Sequence, residues 1–351
     1  MKKGTYLDLL ILTGLTLLLG SLFYLNPLWT RNFYTNHIFS FWRRFFGNLH
    51  TWQILLIWGL LIITFFRIHS RREHIQTSIG RMLLKWISPL LLLTILFYWL
   101  WGFNYLATKP EDIIHIPSNH IPKEDLLAAF QNQTILINNL RATLSIHKWQ
   151  SITKDSLLHA ETKNWTNAVK AVLEPLGYNT NHTTKVVTAW PGGGLLRIGT
   201  AGFYNFFRAS PTVDTALHCI QIPNVSMHEL AHAYGISDEG SANFIAYLAG
   251  LKSSDTLTKY SSELSFWRSL SYATFMADSL QSKVIRNQLS PAVRFDIADI
   301  RRTMDLYPDI APQLRDEIYN LFLKSQGVSE GMESYGRYLS LVLNWKRNKT
   351  N

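Results

Sequence analysis

His228-Glu229-Leu230-Ala231-His232 decides the reading of this chain. On a helix, residues i and i+4 share a face, so the spacing predicts two imidazoles one turn apart, able to reach one ion at about 2.0–2.1 Å per bond, with Glu229 beside them as general base on the water the ion activates. A catalytic zinc site takes a third protein ligand and keeps its fourth position for water. The next carboxylates are Asp238 and Glu239, and the register favours Glu239. The stretch Glu239 to Gly250 reads as a second helix on which Glu239 and Asn243 are i and i+4, so that Asn243 hydrogen-bonds a ligand. Asp238 suits the N-cap of that helix. Gly235 lets the chain reverse between the helices, Gly250 reads as a C-cap glycine, and Asn224 or Ser226 is the expected cap of the first helix after Pro223.

The block from His228 to His232, with Gly235 and Glu239-x-x-Ala242-Asn243, resembles the gluzincin type of zinc metallopeptidase, in which a glutamate on a second helix completes the Zn2+ site. Where many such proteins carry an aspartate four residues after that glutamate, this chain has Asn243, which accepts a hydrogen bond but brings no charge. More of the chain is similar to an uncharacterised bacterial family of membrane-anchored HExxH proteins, a domain of unknown function. The matching pieces are Trp101-Gly102-Phe103-Asn104-Tyr105, the central block through Phe244, and Glu330-Gly331-x-x-Ser334-Tyr335-Gly336-Arg337. Many members carry a further glutamate just before Ala242, where this chain has Ser241. By that resemblance alone, Tyr335 and Arg337 are candidates to donate to an oxyanion; their bland alternatives are helix packing and an ion pair.

The first third of the chain bears on location. Tyr6 to Leu25 and Ile87 to Leu106 each approach the roughly 20 apolar residues that cross a bilayer, the second ending in aromatic rings suited to an interface. Trp52 to Phe66 is shorter. Three spans put Lys2, Lys3, Arg67, Arg71, Arg72, Arg81 and Lys85 on one side and Arg31, Arg43 and Arg44 on the other. The positive-inside rule makes the former side cytoplasmic and the rest of the chain extracytoplasmic, on the periplasmic side of a cell inner membrane. If the middle run does not cross, the domain faces inward.

The net charge of +10 belongs to this part: residues 1–107 hold ten of the 34 Lys and Arg and two of the 24 acids, leaving 24 against 22 elsewhere. Basicity therefore implies a lipid bilayer as partner and no nucleic acid. Cys219 is the sole cysteine, so no intrachain disulfide forms. The expected organisation is a membrane anchor over 1–107 and a zincin-like domain over 108–351. That domain is expected to be α+β, mostly helical with a small sheet. Helical spacing marks Lys123 to Ile146, Ser156 to Leu176, Leu257 to Leu280, Val293 to Tyr307 and Ile310 to Ser325. Strand patterns mark Thr184 to Ala189, Leu195 to Thr200 and Thr215 to Ile222, the last a candidate edge strand along the cleft.

The expected function is hydrolysis of peptide bonds in a peptide or protein of the cell envelope, by a membrane-anchored zinc metallopeptidase with metal ligands His228, His232 and Glu239. Two alternatives stand beside it: an inactive membrane-anchored zinc-binding scaffold, suggested by Ser241 and Asn243, and hydrolysis of a cell-wall amide or an ester, since HExxH does not choose the carbonyl.

Overall fold

The computed structural model describes residues 4–70, 79–119, 121–144, 154–326 and 334–350, and the chain divides into two compact units, Met1–Thr108 with Asn205–Ala209 and Lys109–Tyr204 with Ser210–Asn351.

The first unit holds α1 (Gly4–Leu25), α2 (Ser40–Gly47), α3 (Thr51–Ser70) and α4 (Ile79–Leu100), with a π-helical stretch Thr30–Phe39 ahead of α2. Among the described residues, no single helix is long and apolar enough to cross a membrane. Length and composition are reached only by bent pairs: Leu9–Leu25 with Pro27–Gly47, at 111°, and Ile87–Leu100 with Gly102–Ile113, at 58°; Thr51–Thr64 is a shorter apolar helix. The breaks have local causes. Asn26 caps a new helical turn by accepting from the Trp29 N–H at 3.0 Å, with Pro27 at its first position. At the second break a Cβ on Gly102 would stand 2.7 Å from the Phe97 ring and 2.8 Å from that of Tyr98. Asn104, buried just beyond, accepts from Thr35 Oγ1 at 2.9 Å and donates to the Trp101 carbonyl at 3.0 Å. The Trp101–Tyr105 stretch is thus a packed turn. Lys2, Lys3, Arg71 and Arg72 of the charge count lie outside the described residues.

The second unit is mostly helical around a three-stranded sheet. Its elements run α5 (Lys123–Thr143), α6 (Lys154–Leu173), β1 (Val187–Ala189), β2 (Gly202–Asn205), β3 (Ser210–Asp214), α7 (Ile222–Ala233), α8 (Glu239–Lys252), α9 (Thr256–Ala277), α10 (Ser279–Arg286), α11 (Pro291–Asp305), α12 (Pro312–Ser325) and α13 (Ser334–Thr350). The sheet order is β1-β3-β2, β1 running parallel to β3 with Val187 opposite Thr212. Pro211 precedes that paired register, so its missing N–H costs the β1 ladder nothing.

The strand expectations are corrected in two places. Leu195 to Thr200 is not a strand, because the buried Asp214 carboxylate accepts from the N–H groups of Gly193, Leu195 and Leu196 at 2.6–3.2 Å and winds the segment into a turn. Gly193 and Gly199 supply the positive φ that this turn needs. Thr215 to Ile222 is not a strand either: Asp214 also accepts from the Ala216 N–H at 2.8 Å, and the Gln221 N–H donates to the His218 carbonyl at 2.8 Å, turning the chain into α7. The edge strands are β1 and β2.

α8 packs against α6, α7, α9 and α13, and eleven of its fourteen residues are buried, as befits a helix enclosed on nearly all sides. Gly250 is interior to α8 rather than its cap. A Cβ there would stand 2.0 Å from Ser262 Oγ and 2.4 Å from Ser262 Cβ, so the glycine permits α8 and α9 to touch.

Candidate metal centre

α7 carries His228, Glu229 and His232. It begins at Ile222 with Pro223 in its first turn and no side-chain cap; Asn224, expected as a cap, instead donates its backbone N–H to Ser261 Oγ at 3.1 Å and its side-chain amide to Ser265 Oγ at 3.2 Å, tying the helix to α9. Ser226 is buried with no hydrogen-bond partner for its hydroxyl. Its far end is a Schellman turn. Gly235, at φ 96°, donates to the His232 carbonyl at 2.9 Å, and the Ile236 N–H donates to that of Ala231 at 3.2 Å. The turn directs the Ile236 carbonyl onto His232 Nδ1 at 2.6 Å. Asp238 then caps α8, accepting from the Ser241 N–H at 2.9 Å, which sets Glu239 in the first turn facing α7.

Three ligand-type atoms meet there. His228 Nε2 lies 3.0 Å from His232 Nε2 and 3.1 Å from Glu239 Oε2, and His232 Nε2 lies 3.6 Å from the same oxygen. Each imidazole is held from behind: Asn243 Oδ1 stands 3.0 Å from His228 Nδ1, and the Ile236 carbonyl, which can only accept, fixes the proton of His232 on Nδ1. Both Nε2 atoms are thereby turned to the centre. The group could hold a metal ion. Glu239's second oxygen, Oε1, accepts from the Tyr319 hydroxyl at 2.5 Å.

Charge in this pocket is finely balanced. Burial pushes the Glu229 carboxyl up to about 7 against the pull of both imidazoles, Glu239 adding to the rise. Burial works against a charged His232, yet the charge and hydrogen bond of Glu239, joined by Glu229 and the Ile236 carbonyl, together outweigh it and raise the group to about 9. Burial likewise opposes a charged Glu239, and His232 and the hydrogen bonds of both imidazoles hold it well below the carboxylate range. The cluster favours positive charge where the three atoms meet, and a cation entering it displaces a proton. Glu229 Oε2 is buried with no hydrogen-bond partner. Beside it runs β2: a Cβ on Gly202 would lie 2.9 Å from Glu229 Oε1 and 2.7 Å from the Thr212 carbonyl, so only glycine lets the strand pass this close.

Asp238, the other candidate ligand, is engaged elsewhere. Its carboxylate accepts from Ser241, pairs with Lys109 Nζ at 3.2 Å and takes Arg337 Nη2 on Oδ1. Arg337 also lies 3.3 Å from Glu111 Oε1, which accepts from Ser241 Oγ at 2.9 Å. Ser241 thus belongs to a buried knot that fastens α13 and the Lys109–Glu111 segment to the start of α8. The structure places Arg337 in this knot. Tyr335 falls on α13 with its side chain outside the described residues, as are Glu330 and Gly331 altogether. His218 lies 3.0 Å from Asp299 Oδ2, and the half-buried Cys219 has its Sγ 3.9 Å from His218 Nδ1. Glu111, Tyr319 and the Ile236 carbonyl were missed in the sequence. Only the last had a signal there, Gly235 fixing the turn that aims it.

A family described as a protein of unknown function, DUF3810, matches residues 30–343, a stretch that takes in the aromatic Trp101–Tyr105 turn, both ligand-bearing helices and Arg337. No curated protein and no solved structure matches the chain. With the match running over most of its length, the chain belongs to the DUF3810 family, whose function is unknown.

Proposed function

We propose that this chain is a membrane-anchored zinc peptidase. The observation that carries the reading is the meeting of two imidazole nitrogens and one carboxylate oxygen, 3.0–3.6 Å apart, beside a buried carboxyl oxygen with no partner. A tetrahedral ion bonded at about 2.0–2.1 Å needs ligand atoms roughly 3.3 Å apart, and a donor set of two histidines and a glutamate is one that catalytic zinc uses. When bound, the ion supplies Lewis-acid polarisation of a carbonyl and acidification of water.

The rest is done by the protein's own groups. Glu229 Oε2 receives a proton as attack proceeds and returns it to the leaving nitrogen. Its burial suits it to take up a proton, since desolvation raises a carboxyl's proton affinity. Asn243 and the Ile236 carbonyl keep the imidazoles aimed. β2 is an edge strand lying against Glu229, and a sheet edge is where an extended peptide adds itself, which supports a peptide rather than an ester as substrate. The apolar helices of the first unit seat the protein in a bilayer, and with Thr51–Thr64 among the crossing segments the distribution of basic residues puts the second unit on the extracytoplasmic side, with substrates in the cell envelope.

The test is Glu229→Gln in the full chain, assayed on a mixture of unstructured peptides. Full zinc content with turnover lowered about 10²–10⁴-fold is expected. Zinc retained with no peptide cleaved by either protein would leave a zinc-binding scaffold in place of the enzyme.

A further inference from the structure

Each of the three ligand side chains has a second contact behind it. Those of the histidines come from the α7–α8 core itself, whereas that of Glu239 comes from Tyr319, eighty residues along the chain on α12. The hydroxyl donates to Oε1 at 2.5 Å, the short distance of an O–H donor on a charged carboxylate, and Oε2 is the oxygen turned to the histidines. α12 itself is thinly seated. Leu323 is the single buried residue of its fourteen, and Leu314, Ile318 and Leu321 are 59%, 58% and 68% exposed. Arg315 pairs within its own neighbourhood, with Asp309 and Asp316.

Building on the metal reading, we propose that Tyr319 is a positioning residue: it reserves Glu239 Oε1, so that Glu239 offers one oxygen to the ion, and it thereby ties the seating of α12 to occupation of the site. The chemistry is simple. A carboxylate free at both oxygens can swing or close on an ion with both, filling a position that substrate needs. One whose distal oxygen is held by a hydroxyl presents a single lone-pair direction. Coupling of this kind is reciprocal: if a seated α12 improves the site, a filled site must steady α12. The low burial of α12 makes that second half visible.

The experiment compares wild type with Tyr319→Phe in the full, detergent-solubilised chain. Three readouts are taken: zinc affinity by competition with a chromophoric chelator, the visible spectrum with cobalt in place of zinc, and hydrogen exchange with and without zinc. In Tyr319→Phe we expect zinc affinity lowered about 10–100-fold and a cobalt spectrum shifted toward higher coordination number. In wild type alone we expect slower exchange of the Pro312–Ser325 amides on adding zinc. Equal thermal unfolding of the two zinc-free proteins establishes that the variant folds. Zinc affinity, spectrum and α12 exchange all unchanged by the substitution would overturn the proposal. A wild type that binds no zinc would instead overturn the metal reading beneath it, so the two failures are distinct.

Discussion

α8 and α12 both send a side chain into the same centre, yet one is buried on eleven of fourteen residues and the other on one of fourteen. α8 carries the candidate ligand, and its packing sets where Glu239 stands: the Asp238 cap fixes the first turn, and Gly250 lets α9 close against the last. α12 supplies only the hydroxyl that steadies that ligand. The difference separates a part that must be rigid, because ligand atoms tolerate errors of a fraction of an ångström, from a part that can adjust without destroying the site.

The comparison is broken most severely at the start of α8. Asp238→Ala removes the cap and one of the two carboxylates on Arg337, Glu111 staying 3.3 Å away, and since breaking a buried pair costs at most about 3–5 kcal/mol and a lost cap about 1 kcal/mol, a loss of about 1–3 kcal/mol is expected. Chemical denaturation of the zinc-free protein is expected to report a loss of that size, while zinc stoichiometry stays at one because Asp238 is no ligand. A loss of zinc without loss of stability would make Asp238 the ligand after all. The paired substitutions Gly250→Ala on α8 and Leu321→Ala on α12 sharpen the same contrast. The first forces a methyl into Ser262 and is expected to cost about 1–3 kcal/mol; the second removes apolar atoms from a residue 68% exposed and is expected to stay within about 0.5 kcal/mol. Equal effects would mean that α12 is as firmly embedded as α8.

What the sequence disclosed follows the same division. His228, His232, Glu239 and Asn243 were legible because each relation among them is local to a helix face or a short turn, and Asp238 because capping acts over three residues. Tyr319 and Arg337 meet the α8 end from eighty and ninety-nine residues away; no periodicity encodes such a meeting. Gly250 was misread for a related reason: a glycine near a helix end resembles a cap unless the neighbouring helix is known. In the sheet region, apolar Leu195 to Thr200 resembles a strand, and one buried carboxylate at Asp214 overrides that local preference with backbone hydrogen bonds. The apolar N-terminal runs were legible as helices, but their breaks at Asn26 and Trp101 depend on packing of rings against Gly102 and on the side-chain amides of Asn26 and Asn104.

The central claim, that α7 and α8 build a zinc site from His228, His232 and Glu239, is tested most directly by metal content. Mass spectrometry would be run on the purified full chain, prepared without chelator, beside His232→Ala, Glu239→Ala and Asp238→Ala. The account expects about one zinc per wild-type chain, lost from the first two variants and kept in the third. Wild type with no zinc, or zinc that survives in both His232→Ala and Glu239→Ala, would contradict it.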